Sequence, residues 1–279
     1  MFLMPQVQQM GLHELRRGLR EQQRLHVPME RSGSTCSSEK DENGLRTFSD
    51  EDVDVDVDVG AHDDNDSILY YSRQNDCLRS ELPSLATLFP ESIPFADETF
   101  NAKPDAVNLW IGNEKSVSSM HKDHYENMFC VAHGEKVFTL CPPADALFLK
   151  ETMLPSGTFR KDEGNAGWTV DREMVEQDGN ISDQMVRWIE SDVERLLPPT
   201  CEEDRQAYIE KHPLLQYVHP IRIHVKAGDM LYLPSLWYHR VTQTCETVAV
   251  NYWYDMRFDS PSWSYFNFLQ HIQYSDEEK

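Results

Sequence analysis

The chain has 279 residues, 26 of them Lys or Arg and 48 Asp or Glu, for a formal net charge of −22. So acidic a balance argues against nucleic acid as a main partner, because phosphate binding needs a basic surface, and suits a basic protein or peptide instead. No apolar run approaches the roughly 18–20 residues of a membrane span, and the opening MFLMPQVQQM is too short and too polar for a secretory core. The six cysteines (Cys36, Cys77, Cys130, Cys141, Cys201 and Cys245) form no CxxC pair. They read as reduced thiols used as small hydrophobes, and a cytoplasmic or nuclear location is expected.

Composition divides the chain near residue 66. Leu12, Leu15, Leu19 and His26 give residues 12–25 a weak helical period, and from Cys36 to Asp66 twelve acids stand against Lys40 and Arg46. The Asp-Val alternation in DEDVDVDVDVG has the period of a strand, but its like charges on one face favour an extended, solvated segment. Residues 1–66 are therefore expected to be a low-complexity acidic segment, and residues 67–279 the folded domain.

Within the domain, Pro83, Pro90 and Pro94 limit SELPSLATLFPESIPF to short turns. Strand-like runs follow at residues 106–111, 118–123, 127–132 and 136–141, punctuated by Gly112, His133-Gly134 and Pro142-Pro143. From about 144 to 220 the texture becomes charged and rich in Pro and Gly. There Met185, Trp188, Ile189, Val193 and Leu196 predict a helix over residues 182–197. Strand texture resumes at 221–225, 229–233, 236–241 and 247–254, and Pro261 opens a C-terminal helix whose apolar face is wide enough for dimerisation. Strands, an inserted helical stretch and strands again predict a mainly β, jelly-roll architecture. The absence of βαβ alternation argues against a doubly wound sheet.

In MHKDHYEN, His121 and Asp123 are two apart in a strand-like run, which places both side chains on one face. His239, in the apolar run LPSLWYHRV, is the candidate third ligand. Two histidines and one carboxylate on one face form the triad of non-haem Fe(II) oxygenases, with three of six positions left for co-substrate and O2. Lys136 falls on the side of Phe138 and Leu140, an apolar face where an ammonium is costly unless a carboxylate meets it. A dicarboxylic co-substrate would supply that group.

HKDHYEN, GEKVFTLCPP, AGDMLYLPSLWYHRV and VAVNYWYD, in this order, resemble the JmjC-domain 2-oxoglutarate oxygenases, and more narrowly the JmjC-only bifunctional peptidase and lysyl hydroxylase group. The resemblance covers about residues 66–274. It implies a double-stranded β-helix of the cupin kind, with Fe(II) on His121, Asp123 and His239. It further implies 2-oxoglutarate held by Lys136, Ser118 and Tyr70, and polar positions Asn127 and Asn251 on the co-substrate and oxygen side, with Trp253 as an aromatic wall. The implied activity is protein hydroxylation on a lysyl side chain within a basic segment, with a secondary peptidase activity for which no GxSxG nucleophile is visible. Such proteins carry a longer region before the Tyr70 segment than residues 1–66 supply, so an exposed sheet edge is expected here. Histone lysine demethylation, by the same chemistry on an N-methyl group, and a non-catalytic interaction role are the competing readings.

Overall fold

The computed structural model describes residues 2–4, 68–73, 75–161, 168–177 and 180–275. The helix expected over residues 12–25 and the acidic run from Cys36 to Asp66 lie outside them. The strands are β1 (Phe2–Met4), β2 (Tyr70–Ser72), β3 (Ala106–Gly112), β4 (Ser118–His121), β5 (Tyr125–His133) and β6 (Glu135–Cys141). The inserted stretch contributes β7 (Glu151–Lys161), β8 (Trp168–Arg172), β9 (Met174–Gln177), β10 (Asn180–Asp183) and β11 (Met185–Ile189). The last four are β12 (Ile221–Lys226), β13 (Met230–Leu233), β14 (Tyr238–Gln243) and β15 (Thr247–Asp255). Three short helices, α1 (Cys77–Ser80), α2 (Pro83–Ala86) and α3 (Pro94–Phe100), precede β3. The prolines sit in the first turns of α2 and α3, where no amide hydrogen is needed, and keep these helices short. Helices α4 (Ala146–Leu149) and α5 (Glu202–Lys211) lie in the insert, and α6 (Pro261–Ser275) closes the domain. No helix among the described residues is long and apolar enough to cross a membrane.

Two antiparallel sheets face each other. One has the order β13-β5-β15-β3-β2 and the other β12-β6-β14-β4. The tight β5–β6 turn passes the chain from the first sheet to the second. It needs Gly134, whose φ of +76° places a side chain in the left-handed region, and any Cβ there would collide with the Glu246 carbonyl. Phe129, Val131, Leu233 and Ala249 of one sheet meet Phe138, Leu140, Val225 and Val241 of the other in a shared core. The alternation read from KVFTLC therefore holds: Phe138 and Leu140 face inward beside Lys136. The outer face of the first sheet is covered by α1–α3 through Leu78, Ala96, Val107, Leu109, Val250 and Tyr252. The outer face of the second is covered by the insert and α6 through Met120, Leu149, Tyr238, Phe266 and Leu269. Strand β2, three residues long, is the outermost of its sheet among the described residues.

The insert departs from expectation. Residues 182–197 form no α-helix: β10 and β11 precede a single 3-10 turn at Val193–Leu196. Met185–Ile189 instead pairs antiparallel with Glu151–Pro155 of β7. Val186, Trp188 and Ile189 are wholly or half covered whereas Met185 and Arg187 are exposed, so the two-residue period prevails over the helical one. The stretch from about 144 to 220 thus combines strands β7–β11 with α4, α5 and short 3-10 turns, where a helical insert is expected from the sequence. The C-terminal helix forms as read, burying Phe266 and Leu269 while Tyr265 and Phe268 remain exposed.

Phe138 meets Phe129 edge-on at a centroid distance of 5.0 Å in the centre of the sandwich. Phe138→Ala is expected to destabilise the chain by about 3–5 kcal/mol, read as a lowered urea midpoint with an unchanged slope.

Candidate metal centre

Strand β4 ends at His121, and Asp123 lies two residues beyond it in the loop to β5 instead of in the strand as expected. The convergence nonetheless occurs. His121 is the direct cross-strand partner of His239 on β14, and their rings stand 4.2 Å apart. Asp123 Oδ2 lies 3.9 Å from His121 Nε2 and 3.6 Å from His239 Nε2. The backbone carbonyl of Asp123 accepts from Leu236 N at 2.9 Å, which ties its loop to the turn leading into β14. One donor atom from each of the three residues lies within 4.8 Å of the others.

Both imidazoles are held alike. Nδ1 of His121 lies 2.7 Å from the Ser119 carbonyl, and Nδ1 of His239 lies 3.0 Å from the Trp237 carbonyl. Only a protonated nitrogen can bond a carbonyl, so each Nδ1 carries a hydrogen and each Nε2 faces Asp123. Burial pushes the His239 pKa down to about 4, helped by His121 and opposed by Asp123, so the ring is neutral at physiological pH. The Trp188 ring of the insert stacks on His121 at 6.1 Å with 5° between planes. Two imidazoles and a carboxylate form a donor set suited to a divalent first-row metal such as Fe(II).

Ser118, three residues before His121, would face away from it in a regular strand. The β4–β14 register slips between the His121–His239 and Ser118–Val241 pairs, and this bulge turns both side chains inward. Ser118 Oγ then lies 3.3 Å from the Tyr70 hydroxyl, whose pKa burial pushes up, so the phenol stays protonated. Lys136 Nζ is 5.1 Å from the centroid of the Tyr70 ring and donates to Gln243 Oε1. Lys136 is 2% exposed, and among the described residues no carboxylate pairs with it. Burial lowers its pKa from 10.5 to about 7. A buried amine over the ring of a tyrosine whose hydroxyl meets Ser118, with no carboxylate paired to it among the described residues, fits a bound carboxylate such as the distal one of 2-oxoglutarate. Gly112 allows the close packing here, since a Cβ would come within 2.7 Å of Gln243, Ser116 and Tyr70 atoms.

Asn127 and Asn251 are buried on the inner face of the first sheet. Asn251 Oδ1 accepts from the Trp110 indole at 2.8 Å, which orients its amide to donate to Asn127 Oδ1 at 3.1 Å. Trp253 stacks on Tyr125 at 4.8 Å with 5° between planes, and its buried indole N–H meets no acceptor among the described residues. Sequence reasoning missed Gln243, Trp110 and Trp188. For Gln243 a signal existed: it shares the inward face of β14 with His239 and Val241, where an amide needs a partner.

A sequence profile described as a cupin-like domain matches residues 10–260. The chain belongs to the cupin-like domain family. This JmjC-type member is similar to the human bifunctional peptidase and (3S)-lysyl hydroxylase JMJD7, at 37% identity over 74% of this chain and 58% of that protein. It is also similar to the Arabidopsis thaliana lysine-specific demethylase JMJ32, at 40% identity over 74% of this chain and 57% of the relative. The Dictyostelium discoideum JmjC domain-containing protein E is 38% identical over 75% and 60%. The chain thus spans less than two thirds of the length of these relatives.

The Lys136 amine has a signed consequence for this cupin-like domain. Its folded pKa lies below the ordinary value, so the unfolded chain holds the proton more tightly and stability without ligand rises with pH between about 7 and 10.5. A dicarboxylate instead needs the protonated amine. Affinity for 2-oxoglutarate, measured anaerobically by calorimetry, is therefore expected to be highest below about pH 7 and to fall by up to about tenfold per pH unit above it.

Proposed function

We propose that this chain is an Fe(II)- and 2-oxoglutarate-dependent hydroxylase that acts on a lysyl side chain of a protein. The observation that carries the oxygenase reading is the pairing of a His-Asp-His donor set with a buried lysine that lacks a carboxylate. When bound, iron with 2-oxoglutarate and O2 supplies oxidative C–H hydroxylation, with succinate and CO2 as co-products. The chain's own residues bind and orient. His121, Asp123 and His239 would hold the metal through two lone pairs fixed by their backbone hydrogen bonds. Lys136, Tyr70 and Ser118 would grip the distal carboxylate, and the linked Trp110, Asn251 and Asn127 form a rigid wall of the sandwich interior.

The lysyl reading is favoured by an acidic aromatic patch around Tyr125, close enough to Asp123 to feel its charge. Tyr125 is the cross-strand partner of Asp255, whose backbone N–H donates to Asp105 Oδ2 at 2.8 Å. Both carboxylates are exposed, and among the described residues no Lys or Arg pairs with either. Burial raises the Tyr125 pKa, and Asp255, Asp105 and Asp123 raise it further, so the ring sits in a negative field. An aromatic pair beside unpaired carboxylates suits a cationic side chain. The name of the Arabidopsis relative favours a second reading, lysine demethylation on the same site.

His121→Ala or Asp123→Ala is expected to abolish 2-oxoglutarate turnover to succinate, and full turnover in either variant refutes the assignment. Mass spectrometry of treated basic peptides separates the two chemistries, since hydroxylation adds one oxygen and demethylation removes one methyl group. Asp105→Asn and Asp255→Asn are expected to raise KM for a basic peptide by about two- to fivefold with kcat unchanged, an effect that shrinks at high salt. An unchanged KM in both variants would remove the acidic patch from the account.

A further inference from the structure

The side of β4 and β14 that faces away from the proposed metal ligands carries a charged pair, half-buried at Lys122 and buried at Glu151, with no part in the chemistry above. Lys122 lies between His121 and Asp123 in sequence, yet its ammonium turns to the opposite side and meets the carboxylate of Glu151. It also lies 5.3 Å from the centroid of the Tyr238 ring and 5.6 Å from that of Phe266. Glu151, 3% exposed at the start of β7, accepts a second hydrogen bond from the Tyr238 hydroxyl at 3.3 Å. Tyr238 immediately precedes His239. One carboxylate from the insert thus reaches the residue flanked by two ligands and the residue adjacent to the third.

We propose that Glu151 is a positioning residue for the metal centre: through Lys122 and Tyr238 it clamps the ends of β4 and β14 together and fixes the mutual placement of His121, Asp123 and His239. The proposal rests on the reading of these three residues as metal ligands. Desolvating both partners largely offsets the attraction within a buried ion pair, so the pair adds little to stability beyond what apolar residues of similar volume would. It does fix direction. The ammonium has one carboxylate to meet and two ring faces to lie against, and the HKD peptide cannot rotate without breaking these contacts. Phe266 brings α6 into the same clamp, so the C-terminal helix and the insert both bear on ligand geometry.

The test uses the full chain with Co(II), whose visible absorption reports both affinity and coordination geometry. Glu151→Gln alone leaves a half-buried ammonium without its counter-charge, so it is read with a companion: the double variant Lys122→Met/Glu151→Gln removes both charges and keeps an acceptor for Tyr238. The double variant is expected to retain the wild-type urea midpoint while binding Co(II) about 10- to 100-fold more weakly, with a changed visible spectrum. A stable double variant with wild-type affinity and spectrum overturns the positioning role and leaves the metal reading intact. A wild-type chain that binds no Co(II) overturns both together.

Discussion

The site depends on the antiparallel pairing of β4 with β14. A four-residue strand carries His121 at its end and Ser118 at its start, and the partner strand carries His239 directly opposite the former. One bulge in this short ladder decides what the site can hold. Without it Ser118 would turn outward, Tyr70 would lose its hydroxyl partner, and the Lys136 pocket would be separated from the ligand set. The turn entering β14 supports the same arrangement. Leu236, buried, adopts a φ of +66° and donates its amide to the Asp123 carbonyl. Holding a leucine there costs about 1–2 kcal/mol, so packing around the turn over-determines it.

The electrostatics of the interior oppose those of the whole molecule. The chain carries a net charge of −22 and so repels a dianion from a distance, but beyond a Debye length of about 8 Å that repulsion is largely screened. Inside, Lys136 is the group that the proposed carboxylate would meet, and Gln243 and the face of Tyr70 hold its amine in place. Burial acts on two groups here in the same direction: it keeps a proton off His239 and lowers the pKa of Lys136. Desolvation thus prepares one group to donate a lone pair and leaves the other poised to pair with an anion.

Much of the sandwich was legible because its strands are dense in branched and aromatic residues and end at Gly112, Gly134, Pro142 and Gly228. The inward turn of Lys136 followed from two-residue alternation with Phe138 and Leu140. The insert was not legible. Met185, Trp188 and Ile189 have helical spacing, and only the partner strand β7 overrides it; β7 itself contains Pro155 and Gly157 and carries no clear strand pattern. The bulge that turns Ser118 inward has no signature in spacing, so that residue could be reached through resemblance alone. Gln243 bonds a group 107 positions away and Glu151 one 29 positions away. Partnerships of that kind are set by register between strands and are invisible to local periodicity.

The insert is joined to the ligand-bearing sheet by directed contacts and does more than cover it. Glu194 in its 3-10 turn accepts from Thr139 on β6 and pairs with Arg222 on β12 and, at 3.6 Å, with Arg240 on β14. That single carboxylate spans three adjacent strands of the smaller sheet. Trp188 lies flat against His121, and Glu151 reaches the residues beside all three ligands. A cupin-like sandwich is compatible with many activities, so the features that specialise one member must enter from outside the shared core. Here they enter from residues 146–220, through the side chains that meet the proposed ligands or their neighbours in the chain. Changes in the insert should therefore alter the metal environment as well as access to it, because the side chains that carry the contact meet the ligands or their immediate neighbours in the chain.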